Sequence, residues 1–158
     1  MKINILFLLA CCLSCFGFED RIRISGEIVG DPRTVTVTEI ESTALSGNGE
    51  LIRVHTAVID KKETSSFSGV LLTDFIKRYG VRNVKSITVK AWDRYVITLD
   101  MEKIKKFSPI LVTREQGKHI PYEERGPVRI VTLTVQSMPD QIKDRVQIFS
   151  VKEIIFNR

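Results

Sequence analysis

All three cysteines of the chain, Cys11, Cys12 and Cys15, fall inside its opening stretch, MKINILFLLACCLSCFGFED. From Phe16 to Arg158 there is no thiol, and only two histidines, His55 and His119, occur in the whole sequence. A thiolate zinc cluster therefore cannot be assembled in the body of the chain, and no cysteine nucleophile is available there. The opening stretch itself reads as an export signal. Lys2 supplies a charged start, an apolar run extends from Ile5 to Leu13, and Ser14, Cys15 and Gly17 are small residues ahead of Glu19 and Asp20. The run is too short to span a bilayer, which takes ~20 apolar residues.

Residues 1–17 are thus expected to be a signal peptide cleaved after Gly17, which leaves a chain without cysteine. Leu8-Leu9-Ala10-Cys11 also resembles a lipobox, in which Cys11 is lipidated and retained. A buried core helix is the third reading, and the lack of a polar face at 3.6-residue period counts against it. In the leader the thiols act as small hydrophobes. The expected location is the bacterial periplasm or the exterior, with a lipid-anchored form as the alternative. No later apolar run is long enough to be a transmembrane helix.

Roughly 140 residues after the leader suit one domain, here 18–158, with a core of its own. The net charge of +5 includes Lys2 and is spread over separate pairs such as Lys61-Lys62 and Lys77-Arg78. Nucleic-acid binding asks for a clustered basic face with interleaved aromatics, so no nucleic-acid partner is expected.

Hydrophobic periodicity then places the elements. Thr34-Val35-Thr36-Val37-Thr38 alternates as a half-buried strand does. The turn residues Ser46-Gly47-Asn48-Gly49-Glu50 link it to a second alternating run over 51–59, which predicts a hairpin. On that run Arg53, His55 and Ala57 share one face. In SFSGVLLTDFIKRYG the residues Leu72, Phe75, Ile76 and Tyr79 form a single helical stripe, with Asp74 and Arg78 four apart on the wet side, where they can pair, and Gly80 as a left-handed stop. Strands are predicted over 86–91 and 95–99 around the turn Trp92-Asp93-Arg94. Asp100 caps a short helix that Pro109 prevents from continuing. Further strands are predicted over 110–113, 128–135 and 146–156, with a turn-rich piece at 138–143. The fold class is α+β, a sheet-dominated, mixed and barrel-like core with two or three short helices.

Few constellations carry chemistry. No HExxH, GxSxG, GxGxxG or phosphate-binding glycine loop is present. Glu123-Glu124 reads as a solvent-facing pair before a turn. Arg129 heads an apolar strand face in GPVRIV, and a charge that cannot be shed must reach water, a carboxylate or an anionic ligand. Arg53 and His55, two apart on one strand face, can together hold an anion or can simply be solvated. Trp92-Asp93-Arg94-Tyr95 joins two strands, with Asp93 bracing the turn, and suggests either a binding rim or packing over the hairpin.

Four motifs, FSGVLLTDFIKRYG, AWDRYVITL, QGKHIPYEERGPVRIV and DRVQIFSVKEI, occur in the order found in the sulfite-oxidase-type molybdopterin-binding domain. The sequence resembles that family from Leu51 to Phe156, and most of all its small, exported, stand-alone members. The resemblance implies the family's fold and a cofactor cleft. In the family's enzymes a cysteine thiolate holds molybdenum on the segment that here reads Ile52-Arg53-Val54-His55-Thr56-Ala57-Val58. Neither Thr56 nor neutral His55 supplies the soft, anionic sulfur that molybdenum favours. Arg129 matches the family's arginine near the cofactor. The Pro-Gly that follows that strand is replaced by Leu133-Thr134, and the Lys-Trp of the closing strand by Gln147-Ile148.

The expectation is a non-catalytic, exported module with no bound cofactor. It would use the former cofactor cleft, lined by Arg53, His55, Thr56, Trp92, Asp93, Arg94, Tyr95 and Arg129, for a small anion or for a periplasmic or membrane partner protein. The alternative is a molybdopterin-dependent oxidoreductase that holds its cofactor without the usual cysteine.

Overall fold

Ile22 and Ile24 alternate with Arg21, Arg23 and Ser25, and this period of two becomes the first strand, β1 (Arg21–Gly26), with both isoleucines buried. The computed structural model describes residues 20–44, 48–57, 64–132 and 147–158. The expected leader, the turn residues Ser46 and Gly47, strand positions 133–135 and the piece at 138–143 lie outside the described residues. β1 pairs antiparallel with β2 (Arg33–Thr36) and parallel with the closing strand β10 (Val151–Asn157), where Ile24 lies opposite Ile154. β10 pairs in turn with β5 (Ser86–Ala91), and β5 with β6 (Val96–Asp100), giving a mixed five-stranded sheet in the order β2-β1-β10-β5-β6.

A second sheet has the order β3-β4-β7-β8, formed by β3 (Ile52–Ala57), β4 (Thr64–Leu71), β7 (Ile110–Glu115) and the short β8 (Lys118–His119). A fifth strand, β9 (Arg129–Val131), pairs antiparallel with β7. Ile110, Leu111 and Val112 are all fully buried because both faces of the sheet are covered at this part of β7. Leu111 joins the main core with the first sheet, whereas Ile110 and Val112 join Phe67, Ile120 and Val131 in a smaller cluster on the other face. The expected sheet-dominated α+β class is observed, in the form of two open sheets.

Three helices are present among the described residues: α1 (Val37–Glu41), α2 (Leu72–Tyr79) and α3 (Met101–Phe107). The stripe Leu72, Phe75, Ile76 and Tyr79 is buried as expected, with Phe75 stacked 6.2 Å from Phe156. Asp100 caps α3 by accepting from the Lys103 amide at 2.7 Å, also as expected.

Several expectations are corrected. The alternating run at 34–38 is a strand only to Thr36, because Thr36-Val37-Thr38-Glu39 is a capping box. The Thr36 hydroxyl accepts from the Glu39 amide at 3.2 Å, and the Glu39 carboxylate accepts from the Thr36 amide at 2.8 Å. The predicted hairpin between that run and 51–59 does not form: β2 pairs with β1, and β3 pairs with β4. The segment before α2 is itself the central strand β4. Asp74 is buried, and its described ion pair is with Lys77 at 3.8 Å, not with Arg78. Gly80 is extended, at φ −77°, and does not take a left-handed stop; a side chain there would crowd the Ile76 carbonyl and the Phe156 ring. Of the described part of the predicted 128–135 strand, β9 takes 129–131 and leaves out Val128 and Thr132, and β10 begins at Val151, preceded by an isolated Ile130–Ile148 bridge.

Candidate functional site

The second sheet carries a row of polar residues across its strands. Arg53 on β3 lies opposite Ser68 on β4, Ser68 opposite Arg114 on β7, and Arg114 opposite His119 on β8. One step along β4, Ser66 lies opposite His55 in the backbone register. Period-two geometry puts Ser66 and Ser68 on one face, and with Arg53, Arg114, Glu50 and Leu51 they line an open groove of 760 Å³.

A register shift between Ser68 and Gly69 aims the arginine. It places one extra β7 residue in the ladder, so consecutive residues Thr113 and Arg114 both reach Glu41 at the end of α1. The Arg114 fork donates from Nε and Nη2 to the two Glu41 oxygens, each at 2.8 Å, and Thr113 Oγ1 donates at 2.8 Å. His119 Nε2 lies 3.3 Å from the same carboxylate. Burial acts to raise the Glu41 pKa, but the hydrogen bonds from Arg114 and Thr113 win and hold it below the ordinary glutamate value. A depressed carboxylate contributes stability above its unfolded pKa and loses it as pH falls through the folded pKa. Stability is therefore expected to fall on acidification below about pH 4, and Glu41→Gln should flatten that limb in urea titrations run across pH. An unchanged acid limb would show that Arg114 is not held by this carboxylate. Arg53, by contrast, is exposed and has no ion pair among the described residues.

Arg129 is elsewhere. Phe67 and Ser68 are adjacent on β4 and face opposite sides, and Arg129 lies on the Phe67 side, 5.8 Å from that ring. Its guanidinium is buried, pairs with Glu115 at 2.9 Å, and donates to the backbone carbonyls of Glu124 and Arg125. Burial draws its pKa down and Glu115 opposes the shift. These contacts make it an internal clamp on the turn at Tyr122–Glu124. Glu123 and Glu124 are exposed on that turn, as read from the sequence.

The turn at 92–95 lies at the end of the first sheet, and all four of its residues are exposed. Asp93 accepts from the Tyr95 amide at 2.9 Å, and Arg94 adopts φ 73°. Trp92 packs edge-on against Tyr122 at 6.0 Å, and Lys152 Nζ sits 4.5 Å from its ring. The eight expected site residues are thus divided among three places. Arg53 shares β3 with His55 and Thr56, the aromatic turn stands apart, and Arg129 is interior. Arg129 reaches the aromatic turn only indirectly, by fixing the backbone that carries Tyr122. Arg114, Ser66, Ser68 and Glu41 were missed because a cross-strand row becomes visible only once strand register is known. The alternation Ser66-Phe67-Ser68 was the one local sign of them.

Two sheets sharing a core with three short helices define a sheet-dominated α+β domain. Residues 19–140 match the family described as oxidoreductase molybdopterin binding domain, and the chain belongs to that family. No curated protein matches it. The resemblance described above aligns β3 with the segment that carries the metal ligand in the family's enzymes. β3 reads Ile52-Arg53-Val54-His55-Thr56-Ala57 and offers no thiol. Among the described residues no three His, Cys, Asp or Glu side chains converge as ligands. These residues do not fit a thiolate-anchored molybdenum centre. No helix among the described residues is long and apolar enough to cross a membrane.

Proposed function

We propose that this chain is an exported, non-catalytic binding module built on the molybdopterin-binding fold, and that it takes a small phosphate- or carboxylate-bearing anion in the groove of the second sheet. The observation that carries the reading is the row Arg53–Ser68–Arg114. It offers one guanidinium without an ion pair among the described residues, one already oriented by Glu41, and hydroxyl donors between them. The two arginines are two strands apart, about 10 Å at the backbone, so long side chains can converge on one oxyanion over the serines. Arginine forks suit that task because they present paired donors to planar or tetrahedral oxyanions. Glu50 and Glu41 offset part of the positive charge, which favours a compact anion over an extended polyanion.

Calorimetric titration of the full chain with inorganic phosphate and with pyrophosphate tests this. Arg53→Ala is expected to weaken binding roughly 10- to 100-fold, the loss of one charge-assisted contact, with the melting temperature of the unliganded protein unchanged. Absence of binding by both anions, or equal binding by the variant, would contradict the reading. Family membership by itself favours an oxidoreductase that holds molybdopterin, and the missing thiol on β3 counts against that.

A further inference from the structure

We propose that two copies of this chain pair through β6, antiparallel and centred on Thr98, to join their first sheets into one. Different groups from those of the anion groove carry this proposal. Among the described residues β6 has a single neighbour, β5, so its outer edge presents a row of amides and carbonyls with no strand partner among them. The ladder identifies which ones they are. Ala91 donates to the Tyr95 carbonyl and Met101 donates to the Lys85 carbonyl. In an antiparallel pair, hydrogen-bonded and non-bonded positions alternate. Ile97 and Leu99 therefore bond inward to β5, while Val96, Thr98 and Asp100 point their backbone groups outward.

The strand carries none of the protections that can be built into an edge strand itself. Val96-Ile97-Thr98-Leu99 has no charge, no proline and no bulge, and Val96 is 55% exposed. Every residue from 95 to 100 lines one groove of 800 Å³ alongside the strand, to which α3 also contributes Lys103, Lys106 and Phe107. Side chains of consecutive strand residues point to opposite faces, so a groove that touches all of them runs along the backbone edge. Its shape suits an added strand.

The strand is self-complementary about Thr98, which is what commits the occupant to a second copy. A two-fold axis there puts Thr98 against Thr98, extending the existing Thr88–Thr98 hydroxyl contact of 2.9 Å across the new junction. Ile97 comes against Leu99 of the second copy, on the face that already packs inward. Continued past the strand ends, the same axis brings the turn at Asp93-Arg94 beside the first turn of α3, with Glu102 and Lys103. Arg94 then meets Glu102 and Asp93 meets Lys103, each twice by symmetry. Lys103 also reaches its own Asp100 at 3.3 Å, so Arg94–Glu102 is the more informative pair. Residue i meeting j while j meets i is the pattern of an isologous interface.

Sedimentation equilibrium of the full chain over a wide concentration range tests the proposal. A reversible dimer is expected. Thr98→Pro removes an outward amide without taking a bond from β5 and should leave a folded monomer by circular dichroism. Arg94→Glu and Glu102→Arg should each weaken the dimer at least tenfold, and the double swap should restore it, an outcome that does not depend on how proline is tolerated. A monomer at every concentration, or a dimer indifferent to both the proline and the charge swap, would overturn the proposal.

Discussion

Gly69→Ala should cost the domain at least about 3 kcal/mol, at the upper end of overpacking effects, and lower its urea midpoint accordingly. Gly69 lies on β4, flanked by Ile52 on β3 and Val112 on β7. A methyl group added at its α-carbon would run into the backbone carbonyl of Leu111 and crowd the Val112 α-carbon. Both belong to β7, the strand that pairs with β4, β8 and β9, so neither can shift without breaking ladder bonds on several sides. With total stabilities of about 5–15 kcal/mol, a loss of this size consumes a large share of the whole. Gly69 is the glycine of the Phe67-Ser68-Gly69-Val70 motif, and its role is close approach of two strands. The same approach creates the register shift that turns Arg114 toward Glu41, so a variant that still folds should also bind phosphate less well. A midpoint within experimental error of the wild type would show that β4 and β7 are not in this contact.

Arg129→Ala should be destabilising by about 3–5 kcal/mol, the usual consequence of removing one partner of a buried ion pair. Glu115 would be left largely buried without its counter-charge, and the carbonyls of Glu124 and Arg125 would lose their donor. Arg129→Lys should recover little, since a single ammonium cannot serve a carboxylate and two carbonyls spread across a planar fork. Pairing Arg129→Met with Glu115→Gln should recover part of the loss, because no uncompensated charge then remains. Trp92 is the sole tryptophan and packs on Tyr122 of the clamped turn. Its emission should therefore change in Arg129 variants under native conditions, before any unfolding. Wild-type stability in Arg129→Ala would contradict the clamp.

How much of this was legible in the sequence depends on whether the signal was local. The α2 stripe, the Asp100 cap and the β5–β6 turn were read correctly, because each is written in residues three or four apart or in a single turn. Thr36 and Glu39 carried an equally local message, a threonine followed three residues later by a glutamate. The alternation of Thr34 to Thr38 masked it, since valine and threonine satisfy a strand pattern as well. The hairpin expected across Gly47-Asn48-Gly49 failed for a different reason. Which strands pair is decided by the shared core, where Ile24 meets Ile154 from the opposite end of the chain. For the site, the sequence showed which cations required an explanation but not their partners. Arg129 found its carboxylate fourteen residues away on β7, and Arg53 found its company, Ser68 and Arg114, through two successive strand registers.

The molybdenum content of the full-length chain, purified from a host that makes the pterin cofactor and measured against protein concentration, tests the central claim most directly. That claim is that this family member keeps the scaffold while β3 has no group to anchor the metal. Background molybdenum is expected, in the same preparation whose groove titrates with phosphate through Arg53. One tightly held molybdenum for each polypeptide would contradict it.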